Sequence, residues 1–264
     1  MVRVLLKAFA NIVGRPLILL PAIAAALVNH LVFVLTFFAG TEILADILEF
    51  GFPLFSLAEM PFRFYSLNFW QINIVLAGLF INMAVLGLLT VFYARFVRLR
   101  EEGTPSAKSA FSFAVSKLGR IVSTIVFFAV VGIIFSTVLW LLLMLLSAGL
   151  PLADVLVLLF LLLIVYVTVK LVLVFTAIGF EDLQTKQAVA ASWSFTGRHF
   201  WGTVWVVFLI AVVYAVFSGI GSIAMEQLAD DFQVMAVYYF FSNILISAVS
   251  GLAFAEHYKL KSRK

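Results

Sequence analysis

Six uninterrupted apolar runs constrain this chain more than any other feature. They cover residues 16–39, 70–94, 121–150, 155–180, 200–225 and 232–255, and only the fourth holds an Asp, Glu, Lys or Arg. Each is long enough for the roughly 20 helical residues that cross a bilayer. Hydrophobic residues make up 65% of the chain and charged ones 11%, whereas a water-soluble domain carries about a quarter charged. The expected fold is an all-α polytopic membrane protein with six transmembrane helices.

Lys and Arg set the orientation. Of the 17, all but Arg63 and Lys170 fall on the side that holds both termini. The acids Glu42, Asp46, Glu49, Glu59, Asp154, Glu226, Asp230 and Asp231 gather on the other side. Both termini are therefore expected in the cytoplasm, in the cell membrane. The net charge of +4 reads as topology, with no nucleic-acid partner. The first run outlasts a signal-peptide core, so it is expected to remain as an anchor. With no cysteine, disulfides and thiolate chemistry are excluded.

An internal repeat is also legible. A basic residue precedes Gly-Arg by eleven positions at Arg3…Gly14-Arg15, Lys108…Gly119-Arg120 and Lys186…Gly197-Arg198, and an apolar run follows each time. In the middle copy Thr104-Pro105 opens a short amphipathic helix, with Ala107, Ala110, Phe111, Ala114, Val115 and Leu118 on one face. The first copy places Val2, Leu5, Leu6, Phe9, Ala10 and Val13 in the same stripe; the third, with Thr185, Ala188, Val189, Ser192, Trp193 and Thr196, is weaker. Each unit is expected to be an interfacial helix, a Gly-Arg turn, a helix out and a helix back. The units are 1–102, 103–182 and 183–264, within one transmembrane domain. The outer segment 40–69 is expected to carry a surface helix and an aromatic flap.

The stretch FEDLQTKQAVAASWSFTGRHFW resembles a prokaryotic membrane family. That family includes the membrane domain attached to some glycerophosphoryl diester phosphodiesterases. Glu181, Ala188, Ser192, Trp193, Phe200 and Trp201 carry the likeness, and GRPLILLPAI near the start resembles the family's first helix entry. The resemblance implies interfacial helices leading into membrane hairpins. It implies no hydrolysis here, because in the phosphodiesterase members that chemistry belongs to a separate soluble domain.

Lys170 lies about 22 Å along its helix from Val155, and an ionisable group at such depth is a functional-site hypothesis. The preferred alternative has its stem snorkel to the inner headgroups or its ammonium bond a neighbouring helix. Asn29, His30, Asn82 and Asn243 either line a polar path or join helices by hydrogen bonds, the second being the expectation. Arg3, Arg15, Lys108, Arg120, Lys186 and Arg198 are candidates to hold anionic headgroups at the cytoplasmic surface. No catalytic, cofactor or metal constellation is assembled. The reading is a non-enzymatic lipid-binding or accessory protein, with membrane lipids and a membrane protein as partners; the alternative is a small-solute permease or exporter.

Overall fold

The computed structural model describes residues 2–32, 69–148, 152–227 and 232–259. The outer segment between helices one and two, the chain end beyond Lys259 and part of the Glu226–Asp231 turn lie outside these residues. Ten helices follow in chain order: α1 (Val2–Gly14), α2 (Pro16–Val32, opening with a 3-10 turn), α3 (Phe69–Glu101), α4 (Ala107–Ser116), α5 (Leu118–Ser147), α6 (Ala153–Leu171), α7 (Val174–Glu181), α8 (Thr185–Arg198), α9 (Phe200–Gln227) and α10 (Phe232–Tyr258). Five spans are long and apolar enough to cross a membrane. A sixth counts if α1 and α2, bent by 106°, are taken as one. The chain is an all-α, multi-pass membrane protein.

The fourth run is a broken helix. Its two parts, α6 and α7, are separated by a turn at Val172-Leu173. The short helices α1, α4 and α8 each precede a long one. Ser106, not Thr104, caps α4, its hydroxyl accepting from the Ser109 amide at 3.2 Å. Pro105 therefore stands before the cap.

The chain divides into two compact units. The first gathers residues up to His30, Ala84–Thr124 and Val169–Lys264. Its core is built from α3, α7 and α10. Leu89, Val91, Phe92, Tyr93, Ala94, Phe96 and Val97 are all buried, as are Val174, Ala177, Ile178 and Phe180 and, on α10, Ala248, Val249, Leu252, Ala253 and Ala255. Helix α2 adds Ile18, Ala22, Ala25 and Ala26, and the Tyr93 hydroxyl donates to the Ile18 carbonyl at 3.2 Å.

Each short helix turns a pair of residues, four apart, into this core: Ala8 and Ile12, Ala110 and Ala114, Ala188 and Ser192, with Phe195 and Thr196 of α8 buried as well. Their bulky apolar neighbours, Val2, Leu6, Phe9 and Val13 on α1 and Phe111 and Val115 on α4, stay exposed. The expected apolar stripe therefore splits on α4 and α8, while on α1 the buried Ala8 and Ile12 lie off the stripe, none of whose residues is buried. Large side chains have nothing to gain by leaving lipid, while small ones let backbones approach closely.

Close approach is most severe at two glycines. A Cβ on Gly179 of α7 would stand 2.5 Å from the Val91 carbonyl oxygen of α3, and one on Gly251 of α10 would stand 2.5 Å from the Tyr93 ring. The expected Gly-Arg turns are not built as the sequence suggests. Gly14 ends α1, but Gly119 lies inside α5 and Gly197 inside α8. Positive φ is found instead at Gly103 (78°), Asp182 (58°) and Leu152 (69°) among the described residues. The direction changes are made there and by the 106° bend at Arg15.

The second unit holds Leu31–Met83 and Ile125–Thr168. Within it α5 and α6 form a hairpin in which Phe135 meets Phe160 edge to face, with ring centroids 5.7 Å apart. Ile133, Ile134, Leu158, Leu162 and Val165 are exposed, as lipid-facing side chains are.

Replacing Gly179 by Ala is expected to cost about 1–3 kcal/mol through forced displacement of α3. Gly132→Ala, where the new methyl meets nothing within 4 Å, should be neutral. Thermal unfolding of both variants in detergent, followed by near-ultraviolet circular dichroism, checks this. Equal midpoints would mean that α7 is not held against α3.

Candidate functional site

The first unit concentrates its charge where α3, α7 and α10 end. Each of these helices finishes with a glutamate tied to another element. Glu101 of α3 pairs with Lys259 at 2.9 Å. Glu181 of α7 accepts from the Tyr258 hydroxyl at 2.9 Å. Glu256 of α10, with its side chain only 2% exposed, is paired with Arg100 of α3, and Asn11 of α1 contacts both. A carboxylate this deep is tolerable only when paired and hydrogen-bonded. The cluster fastens α1 and the ends of all three core helices together.

Beside it Phe195 of α8 lies against His199, His257 and Tyr258, with ring centroids 4.8, 5.3 and 5.0 Å away. The Thr203 hydroxyl and His257 Nε2 stand 3.0 Å apart. Arg98 pairs with Glu102 at 2.7 Å and lies over the Phe180 ring.

A second cluster joins α4 and α5 to the α7–α8 connection. Lys117 and Arg120 reach one oxygen of Asp182 at 2.6 and 2.5 Å. Arg120 also donates to the Asp182 carbonyl at 2.9 Å and to the Leu183 carbonyl at 3.3 Å. Asp182 has φ 58°, a left-handed conformation uncommon for a residue with a side chain. Partial burial raises its pKa, but the hydrogen bonds and charges of Lys117 and Arg120 outweigh that and hold its carboxyl below the ordinary carboxylate value. The acids at the ends of α3 and α7 are thus engaged in specific pairs.

The headgroup candidates separate into two kinds. Arg3, Arg15, Lys108, Lys186 and Arg198 are exposed. Arg120 is committed to Asp182 and Leu183. Among the intramembrane polar residues, Asn29, His30 and Asn82 are half-buried and Asn243 is exposed on α10. No hydrogen bond joins these four to one another among the described residues.

Lys170 is only 5% exposed. Its ammonium reaches α8, lying 5.3 Å from the Trp193 ring centroid and 3.2 Å from where a Cβ on Gly197 would stand. Gly197 therefore leaves room for an ammonium, a role hidden from sequence by a separation of 27 positions.

The break in the fourth span explains much of the FEDLQ…GRHFW stretch. The last four carbonyls of any helix lack intrahelical partners, and Lys170 is one residue from the end of α6. Its carbonyl accepts from Ser192 at 2.7 Å and from Thr196 at 3.4 Å. Ala188, fully buried one turn earlier, keeps α8 close enough for this. Trp193 and Trp201 are exposed, Trp201 at 73%, and Phe200 meets Trp201 edge to face at 5.6 Å. Five of the six motif residues thus divide into a buried seal, Ala188 and Ser192, and an aromatic outer face, while Glu181 belongs to the helix-end cluster.

Residues 151–254 match the family described as the membrane domain of glycerophosphoryl diester phosphodiesterase. The matched segment covers α6 to α9 and most of α10, and contains all six residues that carry the resemblance. It is the family to which the sequence points. The stretch GRPLILLPAI falls outside the match. No curated protein and no solved structure matches the chain.

Two outcomes test this geometry. Ser192→Ala leaves the Lys170 carbonyl short of its better donor and is expected to cost about 1–2 kcal/mol in detergent unfolding; Ser192→Thr, which keeps a hydroxyl, should recover part of it. The depressed Asp182 pKa stabilises the fold above about pH 4, the unfolded aspartate value, and that contribution is lost as pH falls through the folded value. Acid titration should therefore destabilise the wild type more than Asp182→Asn below about pH 4, and superimposable profiles would contradict the pairing.

Proposed function

We propose that this chain is a non-enzymatic, lipid-binding accessory protein of the cell membrane, with both termini in the cytoplasm and α1, α4 and α8 resting on the inner leaflet. The observation that carries this reading is the composition of the exposed faces of these helices. On α1, Val2, Leu6, Phe9 and Val13 are exposed beside Arg3 and Lys7; on α4, Phe111 and Val115 beside Lys108; on α8, Trp193 beside Lys186 and Arg198. Apolar groups of this size with cations alongside suit the headgroup boundary, where chains bury and charges meet phosphates. The 106° bend between α1 and α2 suits a surface helix leading into a span.

The three copies of this unit are read as an internal repeat, each with a short helix delivering a membrane hairpin. The match over residues 151–254 to a membrane domain supports a role played in the bilayer. The transport alternative rests chiefly on Lys170, and its position beneath α8 favours a structural duty there.

Native mass spectrometry of the protein in mild detergent tests the reading. Wild type is expected to retain phosphatidylglycerol over phosphatidylcholine. The triple variant Arg15→Gln, Lys108→Gln, Arg198→Gln should lose about tenfold or more of that retention, since each charge near the surface contributes about 1 kcal/mol. Unchanged retention would sink the lipid mechanism, and a stoichiometric protein in its place would mark a membrane-protein partner.

A further inference from the structure

Arg95 stands apart from the other arginines of α3. Arg98 and Arg100 each have a carboxylate, Glu102 and Glu256. Arg95 has neither a hydrogen bond nor an ion pair among the described residues, and its Nε is buried without a partner. It lies six residues before the end of α3, about 9 Å along the axis, amid the buried Phe92, Tyr93, Ala94, Phe96 and Val97.

What its guanidinium does have is the ring of Phe113, 4.7 Å from the centroid. The same ring carries a second cation, Lys117, also at 4.7 Å, so no more than twice that distance separates the two charges. Arg120 stands beside Lys117 on Asp182. The Asp182 carboxylate pairs with the two cations of the α4–α5 junction, and Arg95, across the Phe113 ring from Lys117, is left without one among the described residues.

A guanidinium partly withdrawn from water needs an anion, and a ring quadrupole compensates it less well than an ion pair does. Its planar fork matches the two oxygens of a phosphate. We propose that Arg95 and Lys117, held around Phe113, form a binding site for a phosphate group. The inner-leaflet headgroup and free phosphate are its two possible sources. The site differs from the outward-facing cations of α1, α4 and α8, and it stands even if those helices do not bind lipid.

The test uses the full chain in a neutral detergent, with thermal unfolding as readout and two probes titrated separately, inorganic phosphate and dihexanoyl phosphatidic acid. Wild type is expected to gain thermal stability with the short-chain lipid. A gain with inorganic phosphate as well assigns the site to free phosphate; a gain with the lipid alone assigns it to a headgroup. Arg95→Met keeps the apolar stem and should weaken apparent binding at least tenfold; Arg95→Lys, with a charge but no fork, should fall between. Phe113→Leu provides a second route if Arg95→Met does not fold, and it should weaken binding by loosening both cations. A full shift retained in Arg95→Met and Phe113→Leu, or no shift in wild type with either probe, overturns the proposal. The exposed-site variant Arg15→Gln, Arg198→Gln should keep this shift while losing phosphatidylglycerol retention, so the two readings fail separately.

Discussion

Lipid offers apolar side chains the same surroundings that a protein interior does, so burying them in a membrane gives little reason to pack. This constraint organises the first unit. Its helices are held by backbone approach and by polar contacts, and both depend on residues that look minor in the sequence. Gly179 lets the α3 backbone come within contact distance, Ala8, Ala110 and Ala188 seat the short helices, and the carboxylates at the helix ends lock what the small residues bring together. Ala110 turns inward while Phe111 and Val115 face outward, the reverse of what size would dictate in water.

The polar contacts are not spread evenly. They collect where three core helices terminate, so the same end of the unit carries its ion pairs and its buried Glu256. At Glu256 a hydrogen bond is shielded from bulk water and the loss of a partner would leave a charge stranded. Arg95 fits that logic as the position where the protein supplies one member of a pair and leaves the other to be met from outside.

Much of the architecture was readable from the chain because crossing a bilayer imposes a length and a polarity that few other tasks share. The runs around residues 70–94 and 200–225 needed no three-dimensional information. The short helices were readable from their periodicity, but the division of their apolar face between lipid and protein was not, since both environments accept the same residue types. Ser192 was visible as part of a motif, whereas its partner, the Lys170 carbonyl, is a backbone atom with no sequence signature. The Asp182 contact with Arg120 spans 62 positions and follows no local rule. Gly197 was legible as a recurrent glycine and misread as a turn, because the ammonium it accommodates arrives from another helix.

The broken fourth span has a consequence for how the protein is made. At Lys170 its backbone carries a carbonyl that accepts from Ser192 and Thr196 of α8, and α8 is synthesised after both halves of the span. When Glu181 has left the ribosome, the helix containing that break is still chemically incomplete. Its two halves become one finished element when α8, at 14 residues too short to span a bilayer, packs against them. The fourth span is thus completed by a segment made after it, and α8 serves as the closing piece of the helix that preceded it.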